Sequence, residues 1–333
     1  MKYRKLGNTD LRVSGVGFGN WTVATAWWGI EDDDLAVRMT RRAYDLGINF
    51  FDTADTYGNG KGETLLAEAL GDVRDKVIIA TKGGYDWQTY GNERRGQKEI
   101  PQDWSPAFIR KAVEGSLTRL KTDHIDVYQL HNAKMNCVRR DDVFAELEKL
   151  REEGKIGIYG PALGPAIGWE EEGMYAMQKH HVGVVHTIYN MFEQEPGRAF
   201  FPVARELGVA LMVRVPHSSG MLEGKYTKDT VFGENDHRRH RTQEWLDEGL
   251  RKLDTLRFLT EGRGRTIGQA ALQFIMAEPS VASAFPNIYD MDQLEEFAAA
   301  TDTPEFSDEE LARVAELYAN DFRVEGEPAG SRA

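Results

Sequence analysis

The chain has 333 residues, 41% of them hydrophobic and 29% charged, enough apolar material for a large core beneath a well-solvated surface. Its formal charge of −13 argues against nucleic acid or an anionic membrane as a partner held by bulk attraction. One cysteine, Cys137, excludes an internal disulfide and fits a reducing compartment, and no apolar run approaches the ~20 residues of a membrane helix. The charged start Met1-Lys2-Tyr3-Arg4-Lys5 is followed by no apolar signal core, so the expectation is a cytoplasmic protein.

Residues 3–18 alternate as a short hairpin turning at Gly7-Asn8-Thr9, and Gly17 to Trp21 opens a core strand leading into a loop rich in tryptophan (Trp21, Trp27, Trp28). From there strand and helix patterns alternate. A helix over 32–46 precedes a strand over 48–53, and a helix over 63–70 precedes a strand over 77–81. A long loop over 83–106 carries Trp87, Tyr90, Arg94, Arg95 and Trp104. Ser105-Pro106 then caps a helix to Leu120. Strands over 125–130, 156–160, 182–188 and 209–215 are followed by helices over 141–153, 170–179, 194–206 and 242–262. A helix over 266–277, a strand over 281–285 and helices over 291–299 and 307–320 complete the chain.

Eight strand-then-helix units imply a parallel sheet, and eight of them favour closure into a (β/α)₈ TIM barrel. The expected architecture is a single barrel domain over 1–322 with an N-terminal β-hairpin, extra helices near the C-terminus, and a loose tail over 323–333. A doubly wound open sheet is the alternative. It would normally carry a glycine-rich phosphate turn after its first strand, and Gly17-Phe18-Gly19 is only a fragment of one.

Three successive strands end in chemistry: Asp52 and, beyond it, Asp55 and Tyr57; Lys82; and His131. That end of a parallel barrel is where active sites lie. A phenol at Tyr57 is neutral at pH 7 yet can be pushed toward ionisation by a nearby cation, here Lys82, which Asp52 holds as an ion pair. With His131 hydrogen-bonding a substrate oxygen beside it, the set can move a proton to or from a carbonyl or alcohol oxygen, the job needed beside a hydride donor. Any one of these residues alone is as well explained by a structural ion pair; four together are not.

The segments "FFDTADTYG…GE", "IIATKGG" and "RLKTDHIDVYQLH" resemble the signatures of the aldo-keto reductase superfamily, with weaker likeness in "RVPHSSGMLEGKY" and "GQAALQF". The resemblance implies a (β/α)₈ barrel, nicotinamide cofactor bound extended at the C-terminal face, and interconversion of aldehydes or ketones with alcohols. It maps the family tetrad onto Asp52, Tyr57, Lys82 and His131, with Tyr57 as general acid or base. For the cofactor it points to Gly19, Asn20, His186, Arg214, Pro216, Ser218, Gly220, Leu222, Lys225, Asn287, Gln293 and Glu296. For the substrate it points to Trp21, Trp28, Trp87 and Asn132. Flat aromatic walls suit sugars and other ring compounds.

The chain departs from the family at the nicotinamide. Gly160-Pro161-Ala162-Leu163 stands where a Ser-Asn pair is usual, His186 where a Gln is usual, and Arg214 where an aromatic ring stacks on the nicotinamide. Arg214 can stack as a guanidinium, meet a substrate carboxylate or phosphate, or be a structural ion pair. Phe297 replaces the asparagine that would meet adenine. NADP(H) is the family habit, but residues 287–297 contain no Lys or Arg for a ribose 2′-phosphate and include Asp290 and Asp292, which locally favours NAD(H). The basic run Asp236-His237-Arg238-Arg239-His240-Arg241 reads equally as an anion clamp or as a solvated helix start bridged to Glu234 and Glu244. No third ligand accompanies His237 and His240, so no metal is expected.

The expected function is therefore an NAD(P)(H)-dependent oxidoreductase on a small carbonyl or alcohol, with homo-oligomer formation left open. One alternative is a non-redox lyase or epimerase on the same tetrad. The other is a cofactor-binding regulatory subunit, as the potassium-channel β subunits of this fold illustrate.

Overall fold

In a computed structural model the described residues are 1–25, 30–91, 99–165, 168–234 and 236–323. Trp27, Trp28, Arg94, Arg95 and the tail from 324 lie outside them. A two-stranded antiparallel hairpin, β1 (Tyr3–Lys5) with β2 (Arg12–Ser14), precedes an eight-stranded parallel sheet. Its strands are β3 (Phe18–Gly19), β4 (Phe50–Asp52), β5 (Ile78–Gly83), β6 (Ile125–His131), β7 (Ile156–Ala162), β8 (Val184–Ile188), β9 (Ala210–Arg214) and β10 (Val281–Phe285), paired in chain order. A parallel bridge between Val16 and Ala284 joins the last strand to the segment entering β3 and closes the barrel. Backbone bonds from Gly17 N to Ala284 O and from Ala284 N to Gly15 O, each 2.9 Å, fix that seam.

The crossovers are helical because their apolar residues recur at helical spacing and their starts are capped. Helix α2 (Asp33–Asp45) begins at Asp32, whose carboxylate accepts from Leu35 N, and α5 (Pro106–Leu120) begins at Ser105 with proline in its first turn. The helix expected over 242–262 stops earlier. It is α10 (Gln243–Asp254), after which Leu256 drops fully into the core and a 3₁₀ turn follows at Arg257–Leu259. Similarly, the helix expected from 194 begins only at Gly197, behind Pro196. The long loops hold short elements the sequence did not announce: α4 (Trp87–Tyr90), an antiparallel bridge between Tyr85 and Gln102, and 3₁₀ turns at Met221–Glu223 and His237–His240.

Two cores result. The larger packs helices against the outside of the barrel, and the smaller fills its inside with Phe50, Ile78, Ala80, Val127, Val184, Ala210, Met212 and Phe285, closed below by Leu6 and Val13 of the hairpin segment. Strand side chains alternate with a period of two, so the inward rows can be followed upward. Phe50 leads to Asp52, Ala80 to Lys82, Val127 to Gln129 and His131, Val184 to His186, and Met212 to Arg214. The barrel interior is apolar at its base and turns polar at its C-terminal end, and the candidate residues are the upper layer of one continuous stack.

Candidate active site

The Lys82 ammonium is buried and held by the carboxylate of Asp52 and, at 2.7 Å, by the carbonyl of Thr53. It lies 5.0 Å from the centre of the Tyr57 ring. Tyr57 is on the loop after β4, which doubles back at once because Gly58 adopts φ +58 where a Cβ would meet the Ala24 carbonyl at 2.5 Å. His131 stands edge-on between two phenols, 5.9 Å from Tyr57 and 5.0 Å from Tyr85. Its neighbour Asn132, at φ +52, donates to the Tyr85 hydroxyl at 2.9 Å.

Behind the ion pair runs a second line of contacts. Gln129 Nε2 donates to Asp52 Oδ2 at 2.9 Å, and Gln129 Oε1 lies 2.9 Å from His186 Nδ1. A carboxylate only accepts, so the Gln129 amide nitrogen must face Asp52. Its oxygen must then face His186, and Nδ1 must carry the imidazole proton. That leaves Nε2 as a bare acceptor, buried and without a protein partner. Burial first, then Lys82 and Arg214, holds His186 well below the usual imidazole range, so the ring is neutral.

Arg214 reaches across to the carbonyls of Leu163 and Gly164, with Nη2 donating to both. Its Nε is buried without a partner, and among the described residues no carboxylate lies within 4.0 Å of it. Burial pulls its pKa down from the usual guanidinium value. The structural-ion-pair reading of Arg214 is therefore not what the geometry holds.

These groups line one cavity of about 280 Å³. Of the residues singled out above, Asp52, Tyr57, Lys82, His131, Gly19, Trp21, Asn132, His186, Arg214 and Asn287 border it. Others lie beside it. Asn20 is fully buried and donates to Gly62 O at 2.7 Å. Trp87 packs over the Arg119 guanidinium, 5.4 Å away, rather than lining the cavity. Trp28 is outside the described residues. In the turn after β9, the N–H groups of Ser218, Gly220 and Leu222 are already donated to the carbonyls of Val215 and His217, so they are not open donors. Ser219, which the sequence did not single out, borders the cavity instead. Pro216 is buried beneath that turn.

The remaining candidates form a separate cluster. Gln293 donates to Glu223 Oε2 at 2.8 Å, Glu296 accepts from Thr266 Oγ1 at 2.5 Å, and Phe297 packs on His217 with ring centres 4.4 Å apart. The stretch without basic residues is not left unpaired, because Lys225 comes within 3.9 Å of Asp290 and Arg42 within 2.8 Å of Glu295.

The basic run folds over the cavity mouth. His237 stands edge-on to Trp21 at 5.2 Å, and His237, Arg238, His240 and Arg241 all border the cavity. The expected bridges to Glu234 and Glu244 do not form among the described residues. Arg238 pairs with Asp236 at 2.7 Å, Arg239 donates to the Glu234 backbone carbonyl, and Arg241 donates to Ser219 Oγ at 2.9 Å. A nicotinamide group fits this lining, which holds one orphaned acceptor (His186 Nε2), orphaned donors (Arg214 Nε, Arg241 Nε), and arginines toward the mouth for phosphate.

Comparison with known proteins agrees with this geometry. The model of the aldo/keto reductase family matches residues 15–319. The chain is 30% identical over 240 residues to the NADH-specific methylglyoxal reductase of Escherichia coli (strain K12), covering 70% of this chain and 72% of that protein. It is 27% identical over 324 residues to a probable voltage-gated potassium channel subunit beta of Oryza sativa subsp. japonica, covering 92% and 95%. The solved structure of the glycerol dehydrogenase from Gluconobacter oxydans superposes with a TM-score of 0.83 at 27% identity, covering 99% of both chains. The chain belongs to the aldo/keto reductase family and is an NAD(P)-dependent oxidoreductase of (β/α)₈ type.

Proposed function

We propose that the cavity interconverts a small carbonyl compound and its alcohol, with Tyr57 moving the proton. The observation that carries this is the Lys82 ammonium, buried, paired with Asp52 and 5.0 Å from the Tyr57 ring inside the cavity that His131 also lines. The bound nicotinamide supplies or receives the hydride. In reduction, Tyr57 donates its hydroxyl proton to the carbonyl oxygen, and Lys82 stabilises the negative charge left on the phenol oxygen. His131 orients that carbonyl by hydrogen bonding. Trp21 and Asn132 border the substrate end and set its shape. In the cofactor half, His186 Nε2 would accept from, and Arg214 Nε would donate to, the carboxamide that the resemblance assigns to Ser, Asn and Gln in other family members.

NAD(H) is the favoured cofactor in this reading. Among the described residues the only cation within 4.0 Å of Asp290 is Lys225, 3.9 Å from it, so none of them offers a guanidinium fork there for a 2′-phosphate. A relative named for NADH specificity supports the same choice. Tyr57→Phe tests the function. Tryptophan quenching by NADH should persist with an unchanged Kd, while turnover of small aldehydes falls by about 10²–10⁴-fold. Full activity in that variant would remove Tyr57 from the mechanism. A second reading, a cofactor-binding regulatory subunit, is favoured by the channel-subunit relative. It predicts NADH binding with no turnover in the wild-type protein.

A further inference from the structure

We propose that Arg214 makes the pocket discriminate between the two redox forms of the cofactor, binding the neutral reduced nicotinamide ring more tightly than the cationic oxidised one. The inference rests on the nicotinamide reading above and concerns the charge balance of the cavity floor.

That balance is legible group by group. Lys82 and Asp52 cancel as an ion pair. His186 carries one proton, on Nδ1, and is neutral. Glu99 is paired with Lys134 at 3.0 Å, and Arg238 with Asp236 at 2.7 Å. Glu193 also lines the cavity as a carboxylate whose donors, Asn190 Nδ2 at 2.7 Å and Ser218 Oγ at 3.1 Å, are neutral, but it lies more than 4.0 Å from Arg214. The acidic groups that act on Arg214 are Asp52 and the phenols of Tyr57 and Tyr85, and Asp52 is already committed to Lys82. Beside His186, the charge with no carboxylate within 4.0 Å among the described residues is the Arg214 guanidinium, bonded through Nη2 to two neutral carbonyls and carrying a buried Nε without a partner.

A half-buried charge with no counterion in contact acts more strongly on whatever shares its cavity than it would at the surface, because less water screens it. A ring placed for reaction beside Tyr57 is also close to Arg214, since both residues border the same 280 Å³ cavity. The oxidised ring carries a positive charge and is repelled; the reduced ring carries none. Arg241, nearer the mouth, would meet the phosphates, which are the same in both forms, so it raises affinity without contributing to the difference. The same logic biases the enzyme toward carbonyl reduction at equal nucleotide concentrations.

The test is a set of fluorescence titrations of nucleotide-free full-length protein with NADH, NAD⁺ and ADP-ribose, for wild type, Arg214→Gln and Arg214→Lys. Expected are a wild-type Kd ratio of NAD⁺ to NADH above ten, a fall in that ratio of tenfold or more in R214Q through tighter NAD⁺ binding, and a largely retained ratio in R214K. A ratio unchanged by R214Q overturns the inference. So does equal loss of both ring forms in R214Q with ADP-ribose still bound, which would make Arg214 a holder of the ring without preference, and leave the function standing. Wild-type protein that binds neither nucleotide overturns the function and the inference with it. Should R214Q not fold, a wild-type ratio at or below one is sufficient to overturn the proposal, and Arg214→Met supplies the comparison.

Discussion

His186 Nδ1 lies 2.9 Å from Gln129 Oε1, and that one contact decides which imidazole nitrogen faces the cavity. Gln129 is locked because its other end donates to Asp52, so the tautomer is imposed from the Asp52–Lys82 ion pair outward. Replacing Gln129 with Leu orphans an Asp52 oxygen and the His186 Nδ1–H together. The expected cost is about 1–3 kcal/mol of stability per unsatisfied buried group. The sharper readout is nitrogen-15 NMR of the imidazole. Wild-type His186 should show a protonated Nδ1 and bare Nε2, and Q129L should lose that fixed assignment. A wild-type spectrum with the proton on Nε2 contradicts the network.

Lys82→Met leaves the Asp52 carboxylate buried with no countercharge. Breaking a buried pair in this way costs about 3–5 kcal/mol, whereas removing both charges is much milder. K82M should therefore melt well below wild type, and the double variant with Asp52→Asn should recover most of the stability while remaining inactive. Recovery of activity along with stability in the double variant would show that the ammonium has no chemical role.

Glu63 and Arg119 make a second buried pair, away from the cavity. Arg119 Nε donates to Glu63 Oε2 and Thr81 Oγ1 to Glu63 Oε1, both at 2.6 Å, and Glu63 is wholly buried. Arg119→Met strands the carboxylate, and a loss of about 3–5 kcal/mol in urea unfolding is expected. The KM for aldehydes should stay unchanged, because neither residue borders the cavity.

Glu223 gives the fold a pH dependence of its own. Burial pushes its carboxyl up to about 7, against which the hydrogen bond from Tyr289 acts, as does the charge of Arg238. Because the folded value lies above the unfolded one near 4.5, the native state holds a proton that the unfolded chain has released between those two pH values. Stability from this group is complete below about pH 4.5 and is lost as pH rises to about 7. The integrated effect is on the order of 3 kcal/mol. Glu223→Gln should therefore gain stability relative to wild type at pH 8 and lose that advantage at pH 5. Parallel urea curves for the two proteins at both pH values would mean that Glu223 titrates normally.

Much of the barrel was legible because each strand is a short apolar run and each crossover carries helical spacing and a cap, so local and global signals agree. The candidate set was legible because Asp52, Lys82 and His131 interrupt apolar strands at the same end. Gln129 was not, since a lone glutamine inside Ile125–His131 reads as strand filler until parity puts it in the same inward row as His131. Tyr85, Glu99 and Ser219 come to the site from loops, where no periodicity marks direction. The helix over 242–262 was drawn too long because its residues all favour helix. What ends it is Leu256 turning into the core, a tertiary demand with no local signature. Arg214 showed itself as a substitution, but that no carboxylate among the described residues lies within 4.0 Å of it is a three-dimensional fact.

The seam between Val16 and Ala284 also has a consequence on the ribosome. The first strand of the barrel, Phe18–Gly19, emerges long before the strand that seals it, Val281–Phe285. At roughly 5–20 residues per second, β3 waits on the order of tens of seconds for its second neighbour. Through that interval it has β4 on one side and an open edge on the other. The strand meeting this wait is only two residues long, Phe18–Gly19, and so short an edge offers a passing nascent chain almost nothing to pair with.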